Sequence, residues 1–254
     1  MKGELLGRGG SAEVFAFGPG RVLKLFWPRY AYAVEMEARK ARAVWRAGVP
    51  APAVYDVVLL EGRPGIVYER IDGPLLFARL GGGDTAVREV GEQLAELHAE
   101  IHRHEVPELE DLVDQIERGV ESLPPAERAS ARARIAHVPR GKVLYHGDFH
   151  PGNVIVGSRA VVIDWVNAFS SHPAFDVARS TVCMRFQGVR DDTPARSRVI
   201  REAVSEAYLE RYLASTNVTR DEVARCARHC AASLLRHQPG GPARDELARI
   251  ADGA

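Results

Sequence analysis

Lys142-Val143-Leu144-Tyr145-His146-Gly147-Asp148-Phe149-His150-Pro151-Gly152-Asn153-Val154-Ile155-Val156 leads, four residues later, into Ala160-Val161-Val162-Ile163-Asp164-Trp165. Three short apolar runs, mostly β-branched and interrupted by Gly, Pro and Asn, read as strands joined by tight loops. Such loops hold Asp148, Asn153 and Asp164 at strand ends. A rigid scaffold commonly presents reactive groups at such positions.

This residue set points to phosphoryl transfer. One carboxylate takes or orients the proton of an attacking hydroxyl, while an amide oxygen and a second carboxylate hold a divalent cation on nucleotide phosphates. The kinase pattern of a catalytic Asp, a metal-binding Asn five residues on, and a later metal-binding Asp is met by Asp148, Asn153 and Asp164. Gly147 stands where protein kinases carry Arg, and Asp164-Trp165-Val166 replaces Asp-Phe-Gly. A polar-turned β-hairpin would leave Asp164 unexplained.

With those departures, His-Gly-Asp-x-His-Pro-Gly-Asn followed by Ile-Asp-Trp resembles the aminoglycoside phosphotransferase and choline kinase-like family of small-molecule kinases. The resemblance extends from the glycine-rich segment near the N-terminus to about Arg179. It implies an α+β, two-lobed protein kinase-like fold, with a small antiparallel sheet in the N-terminal lobe and a mostly helical C-terminal lobe. The boundary is expected near residue 72, giving a nucleotide-binding lobe over 1–72 and a catalytic and acceptor-binding lobe over 73–254. In that frame Asp148 is the base, and Asn153 and Asp164 hold Mg²⁺.

The N-terminal segment supplies the remaining expected nucleotide contacts. Gly7, Gly9, Gly10, Ser11 and Val14 lie in a glycine-rich turn whose backbone can approach phosphate oxygens, although Ala12 stands where the kinase loop has its third glycine. Lys24 falls within the alternating run Arg21–Trp27, among apolar neighbours. The resemblance makes it the phosphate-binding lysine and, through the family's spacing of the partner glutamate before a Gly-Val-Pro-x-Pro segment, here Gly48-Val49-Pro50-Ala51-Pro52, implies Glu37 as its partner, with Glu35 as the fallback. Pro28 to Trp45 reads as one helix, and Val54–Leu60 with Gly65–Ile71 as paired strands. Tyr68, Glu69 and Ile71 match the family's hinge, where main-chain groups at Glu69 and Ile71 meet the purine edge and Tyr68 bounds its pocket. ATP is the expected donor, with GTP as an alternative.

Further along, Asp84 or Thr85 is expected to cap a helix carrying Val87, Val90, Leu94, Leu97 and Ile101. His98 and His102 lie one turn apart on it, and without a third ligand nearby they read as exposed or helix-packing residues. Between Arg88 and Glu121, eleven acidic residues face three basic ones. That run reads first as a solvated face and second as a cation-attracting wall beside an acceptor pocket. His172 replaces the first Asp of the family's Asp-Pro-x-x-Asp-x-Ala segment, and Asp176 is expected to support the catalytic loop. A C-terminal helical pattern follows, with Thr219 or Asp221 as a cap and a break at Gly240-Gly241-Pro242.

Composition sets outer bounds. The 254 residues, 46% hydrophobic and 27% charged, suffice for one large domain or two small lobes. Thirty-four basic residues balance thirty-four acidic ones, which gives no global field for nucleic acid or an anionic membrane. Three cysteines, no apolar run of membrane-spanning length and no signal-like N-terminus fit a cytoplasmic protein. The expected partners are a nucleoside triphosphate and a small-molecule hydroxyl acceptor, with an antibiotic such as an aminoglycoside leading. Choline-like alcohols or sugars, and a non-catalytic nucleotide-binding module, are the alternatives. The uneven charge distribution favours an acceptor of low positive charge, or one gripped by one acidic side only.

Overall fold

Period-two alternation along the first strands decides how the N-terminal sheet packs. β1 (Leu5–Arg8), β2 (Ala12–Ala16) and β3 (Arg21–Phe26) precede α1 (Val34–Arg46), and β4 (Val54–Leu60) and β5 (Arg63–Glu69) follow it. The sheet is antiparallel in the order β1-β2-β3-β5-β4, so β3 is central. On β3, Leu23 and Leu25 point to one face, where they pack with Phe15 and Val67. Phe26 points to the other, against Val34 and Ala38 of α1 and Ile66 of β5. Lys24 shares Phe26's face by alternation and so meets α1. Burying a side chain the size of Phe26 contributes about 1.5–3 kcal/mol.

Helices dominate the next stretch: α2 (Asp84–Ile101), α3 (Leu112–Glu121) and α4 (Pro125–Ile135). Four short strands follow, β6 (Val143–Tyr145), β7 (Val154–Val156), β8 (Ala160–Val162) and β9 (Phe169–Ser171), then α5 (Pro173–Phe186), α6 (Ala195–Ser215), α7 (Arg220–Leu235) and α8 (Gly241–Asp252). This computed structural model describes residues 2–236 and 240–253. Among the described residues no helix is long and apolar enough to cross a membrane.

Two compact units result, and their boundary does not follow sequence order. One comprises residues 1–75 with 153–168, and the other 76–152 with 169–254. A division at residue 72 therefore omits 153–168 from the sheet-bearing unit. The β7–β8 ribbon belongs there because Val162 N–H donates to Pro50 O at 2.7 Å, Val156 N–H to Pro74 O at 2.9 Å, and buried Lys40 Nζ to Val166 O at 3.1 Å.

Within the helical unit α2 lies close along α6. A Cβ at Gly91 would stand 2.7 Å from Ala207 Cβ and 2.8 Å from Val204 O, so only glycine permits this approach. β6 pairs antiparallel with β9, Leu144 opposite Ser170.

Several element ends differ from expectation for local reasons. Pro28–Ala33 forms 3-10 turns and the regular helix starts at Val34. β5 ends at Glu69, before Ile71. α2 has no side-chain cap: Gly83, at φ 90°, is its N-cap residue, and Asp84 stands in the first turn, where its carboxylate suits the helix dipole. Thr219 caps α7 reciprocally with Glu222. Gly240 is the N-cap residue of α8, and residues 237–239 before it lie outside the described set.

Candidate active site

In the sheet-bearing unit, alternation on β3 and the turn of α1 bring Lys24 and Glu37 together. Lys24 Nζ lies 2.6 Å from Glu37 Oε1 and 2.8 Å from Asp164 Oδ1. Glu35, two residues along α1, is exposed on a different face. Tyr68 OH donates to the same Glu37 oxygen at 2.9 Å. Burial alone would lower the Lys24 pKa, but the charges of Asp164 and Glu37 outweigh it and hold the ammonium above its ordinary value. Burial raises the Glu37 pKa, against the opposing pull of Lys24.

Asp164 sits in the left-handed backbone region, at φ 68° and ψ 61°, directly before the 3-10 turn Trp165–Asn167. For a non-glycine residue that conformation is uncommon and marks stored strain of order 1 kcal/mol. Trp165 anchors the turn, being almost wholly buried with Nε1 donating to Val162 O at 2.9 Å. The antiparallel β7–β8 register places Asn153 and Ile163 at one end of the ribbon, with Ile163 N–H donating to Asn153 O at 2.9 Å. Asn153 and Asp164 therefore leave the same ribbon end, and their side chains offer hard oxygen donors suited to Mg²⁺.

The glycine-rich turn joins β1 to β2, Gly7 opposite Val14 and Gly9 N–H donating to Ala12 O at 2.8 Å. A Cβ at Gly7 or Gly10 would meet nothing within 4 Å. Ser11 is half-buried and its carbonyl accepts from Trp27 N–H. On β5, Glu69 N–H donates to Ala53 O, and its carboxylate accepts from Ala53 N–H at 3.1 Å. Ile71 follows, half-buried, beyond the strand end.

In the helical unit, Asp148 follows β6 on a loop held from behind by Asp176 of α5. Asp176 accepts His146 N–H at 2.5 Å and Gly147 N–H at 3.0 Å. Gly147 has φ 81°, which a side chain in its place would adopt only with strain. Its carbonyl accepts from Arg179 Nε at 3.2 Å. His150 Nε2 approaches Asp148 Oδ2 at 3.7 Å. Burial would raise the Asp148 pKa, but hydrogen bonding to His150 holds it below the ordinary carboxylate value.

The support behind this loop is larger than the sequence suggested. His98 and His102 are buried, which excludes the exposed reading, and both point Nε2 at Asp176 Oδ2, at 3.0 and 3.4 Å. Their Nδ1 atoms each lie 2.6 Å from a tyrosine hydroxyl, Tyr208 for His98 and Tyr212 for His102. An ionised carboxylate only accepts, so each Nε2 carries the proton and each tyrosine donates to Nδ1. Burial, then the neighbouring His102, lowers the His98 pKa to about 3, so the ring is neutral. The Asp176 pKa is depressed: burial opposes ionisation, and the donors converging on the carboxylate outweigh it. Phe149 stacks on His98 with ring centroids 4.1 Å apart and seats the residue after Asp148 in this cluster.

His98, His102 and Asp176 offer three ligand atoms within 4.8 Å of one another. The shared oxygen already receives a main-chain N–H and two ring N–H groups, so hydrogen bonding accounts for the cluster. One sequence signal was available: His98 lies on the apolar stripe formed by Leu94, Leu97 and Ile101, the buried face of α2. His172 is the N-cap residue of α5, with Nδ1 accepting from Ala174 N–H at 3.3 Å, so it does the capping work of an Asp.

The acidic stretch is largely neutralised in place. Arg140 binds Asp111, Asp114 and Glu117, while Glu92, Glu96, Glu110 and Glu121 pair with Arg88, Arg211, Arg118 and Arg132. This is a paired, solvated face.

The model of the phosphotransferase enzyme family, APH, matches residues 2–225. The chain belongs to that family. No curated protein matches the sequence. Among solved structures, this family member is similar to an aminoglycoside-3'-phosphotransferase of type VIII, with TM-score 0.60 and 19% identity over 89% of this chain and 91% of that one. A choline/ethanolamine kinase family protein from Mesorhizobium loti gives TM-score 0.59 and 19% identity, covering 98% and 87%. The macrolide 2'-phosphotransferase of Brachybacterium faecium gives TM-score 0.52 and 22% identity, covering 99% and 87%. At these identities the likeness establishes the two-lobed protein kinase-like fold.

Proposed function

We propose that this phosphotransferase moves the γ-phosphate of a nucleoside triphosphate, ATP or also GTP, onto a hydroxyl of a small molecule, with antibiotics as the leading acceptor class. The observation that carries this reading is Lys24, held 2.6 Å from Glu37 and 2.8 Å from Asp164 on a sheet whose glycine-rich turn leaves open space at Gly7 and Gly10. A fixed ammonium beside such a turn suits the α- and β-phosphates. Glu69 and Ile71 would meet the purine through their main chain, beside Tyr68.

Asp148 is ionised and oriented by a loop whose main chain is bonded to Asp176. It would accept the acceptor hydroxyl's proton as the acceptor oxygen bonds to the γ-phosphorus and the β–γ bridging P–O bond breaks, the nucleoside diphosphate leaving with that electron pair. Asn153 and Asp164 would hold Mg²⁺. The ion when bound supplies charge neutralisation at the phosphate oxygens. Positioning and electrostatic preorganisation then account for most of the rate.

The test is nucleoside diphosphate release with Mg²⁺ across a library of hydroxyl compounds, in the wild type and in Asp148→Asn. Acceptor-dependent release that falls in the variant supports the reading. Nucleotide binding without release for any acceptor would make the chain a non-catalytic module.

A further inference from the structure

The helical unit contains a cavity of about 360 Å³, a size typical of small-ligand sites, walled by Phe77, Leu80, Cys183, Met184 and Val204. His150, Pro151 and Gly152, on the loop that carries Asp148, complete it. Phe77 leaves 60% of its surface exposed, so its ring is available to a ligand in the cavity. Among the described residues no Asp or Glu lines the cavity. Its polar members are Gln187, Arg201 and the loop histidine.

Arg201 is already committed. It donates Nη2 to Gln187 O at 2.5 Å and Cys183 O at 3.3 Å, and Nε to Arg185 O at 3.4 Å, which closes the C-terminal end of α5. The Cys183 thiol, its pKa raised by burial to about 11, is neutral. The lining thus presents apolar walls and one fixed cation, and the nearest counter-charge the loop offers is Asp148, 3.7 Å from His150 Nε2. An amino sugar with several ammonium groups would lose hydration there with Asp148 alone to offset them, and would meet a guanidinium as well.

We propose that this cavity receives the phosphate acceptor, and that the acceptor is a largely apolar alcohol with at most one positive charge, gripped by Phe77, Leu80 and Met184. The inference rests on the phosphotransferase reading above and narrows its acceptor class.

Equilibrium dialysis against two size-matched panels tests it, one of uncharged or singly charged apolar alcohols and one of polyamino sugars. The wild type should retain members of the first panel. Phe77→Ala, at an exposed position that leaves folding intact, should weaken that retention about tenfold, the scale of losing one buried aromatic side chain. Met184→Glu should weaken it further, and affinity for ATP with Mg²⁺ should stay within twofold of the wild type in both variants. With a retained alcohol as acceptor, Phe77→Ala should raise KM for that alcohol while kcat changes little. Preferential retention and turnover of polyamino sugars, or alcohol binding indifferent to Phe77→Ala, would overturn the inference and leave the phosphotransferase reading standing. Phe77-dependent alcohol binding with no diphosphate release from ATP or GTP would instead overturn the phosphotransferase reading, and the acceptor role with it.

Discussion

Tyr68 donates its hydroxyl to Glu37 Oε1 at 2.9 Å, the same oxygen that holds Lys24 Nζ at 2.6 Å. The residue expected to bound the purine pocket is thus bonded to the carboxylate proposed for the phosphate clamp. Two substitutions separate these roles. Tyr68→Phe keeps the ring and loses the hydrogen bond, so thermal stability should fall by about 1–3 kcal/mol while the ATP-to-GTP ratio of kcat/KM holds. Tyr68→Met removes the ring and should shift the ratio towards ATP. An unchanged ratio in the Met variant would refute the purine-pocket role.

Asp148→Asn should lower turnover by about 10²-fold or more with nucleotide affinity nearly unchanged. His150→Gln removes the group that holds the Asp148 pKa down. The acid limb of the kcat–pH profile should therefore move to higher pH, while the plateau near neutrality changes less. A profile identical to wild type would show that His150 does not tune the carboxylate.

His98 and His229 make folding sensitive to mild acid. His98 falls from an ordinary value near 6.5 to about 3 in the folded chain, and His229, through burial, to about 4. Between those values the unfolded chain binds protons that the folded one does not, so stability should drop as pH falls from about 6.5 towards 4. Melting curves at pH 7 and pH 5 measure the slope. His98→Asn should be less stable at pH 7 and should show a shallower loss between the two.

Gly91→Ala places a methyl 2.7 Å from Ala207 Cβ and 2.8 Å from main-chain Val204 O. Denaturant titration should register a loss of about 1–3 kcal/mol, the usual scale of overpacking. Because Val204 also lines the cavity, acceptor KM should rise with it, and nucleotide affinity should not.

Charge reversal on the acidic face should do little. Glu100→Lys with Glu108→Lys, at exposed positions, should leave acceptor KM within about twofold and its salt dependence shallow between low salt and physiological strength, where charges beyond about 8 Å are screened. A steep salt dependence abolished by the pair would make the face a binding wall after all.

The sheet and the helix-rich remainder were legible because long periodic segments announce themselves, as β3 does by alternation and α2 by its apolar stripe. β9 was not. Three residues, Phe169–Ser171, carry no period, and their partner β6 lies some two dozen positions earlier, beyond an intervening ribbon. Of the two glutamates considered for Lys24, Glu37 makes the contact, a choice that depends on helix phase and on the face of β3. The tyrosines behind His98 and His102 lie 110 positions away, and no local pattern links them. The assignment of 153–168 to the sheet-bearing unit likewise depends on three long-range hydrogen bonds that composition does not encode.

That discontinuity bears on biosynthesis. Lys24 meets Glu37 across 13 positions but Asp164 across 140, so the sheet-bearing unit cannot finish folding on the ribosome until more than half the chain has emerged. Until then a nascent chain ending near residue 75 has the five strands and α1 but lacks the ribbon that bonds to Pro50, Pro74 and Lys40. Contacts of such long sequence separation close late and slow folding. The nascent sheet is therefore the stage at which chaperone protection, or its absence, should decide the yield of active protein.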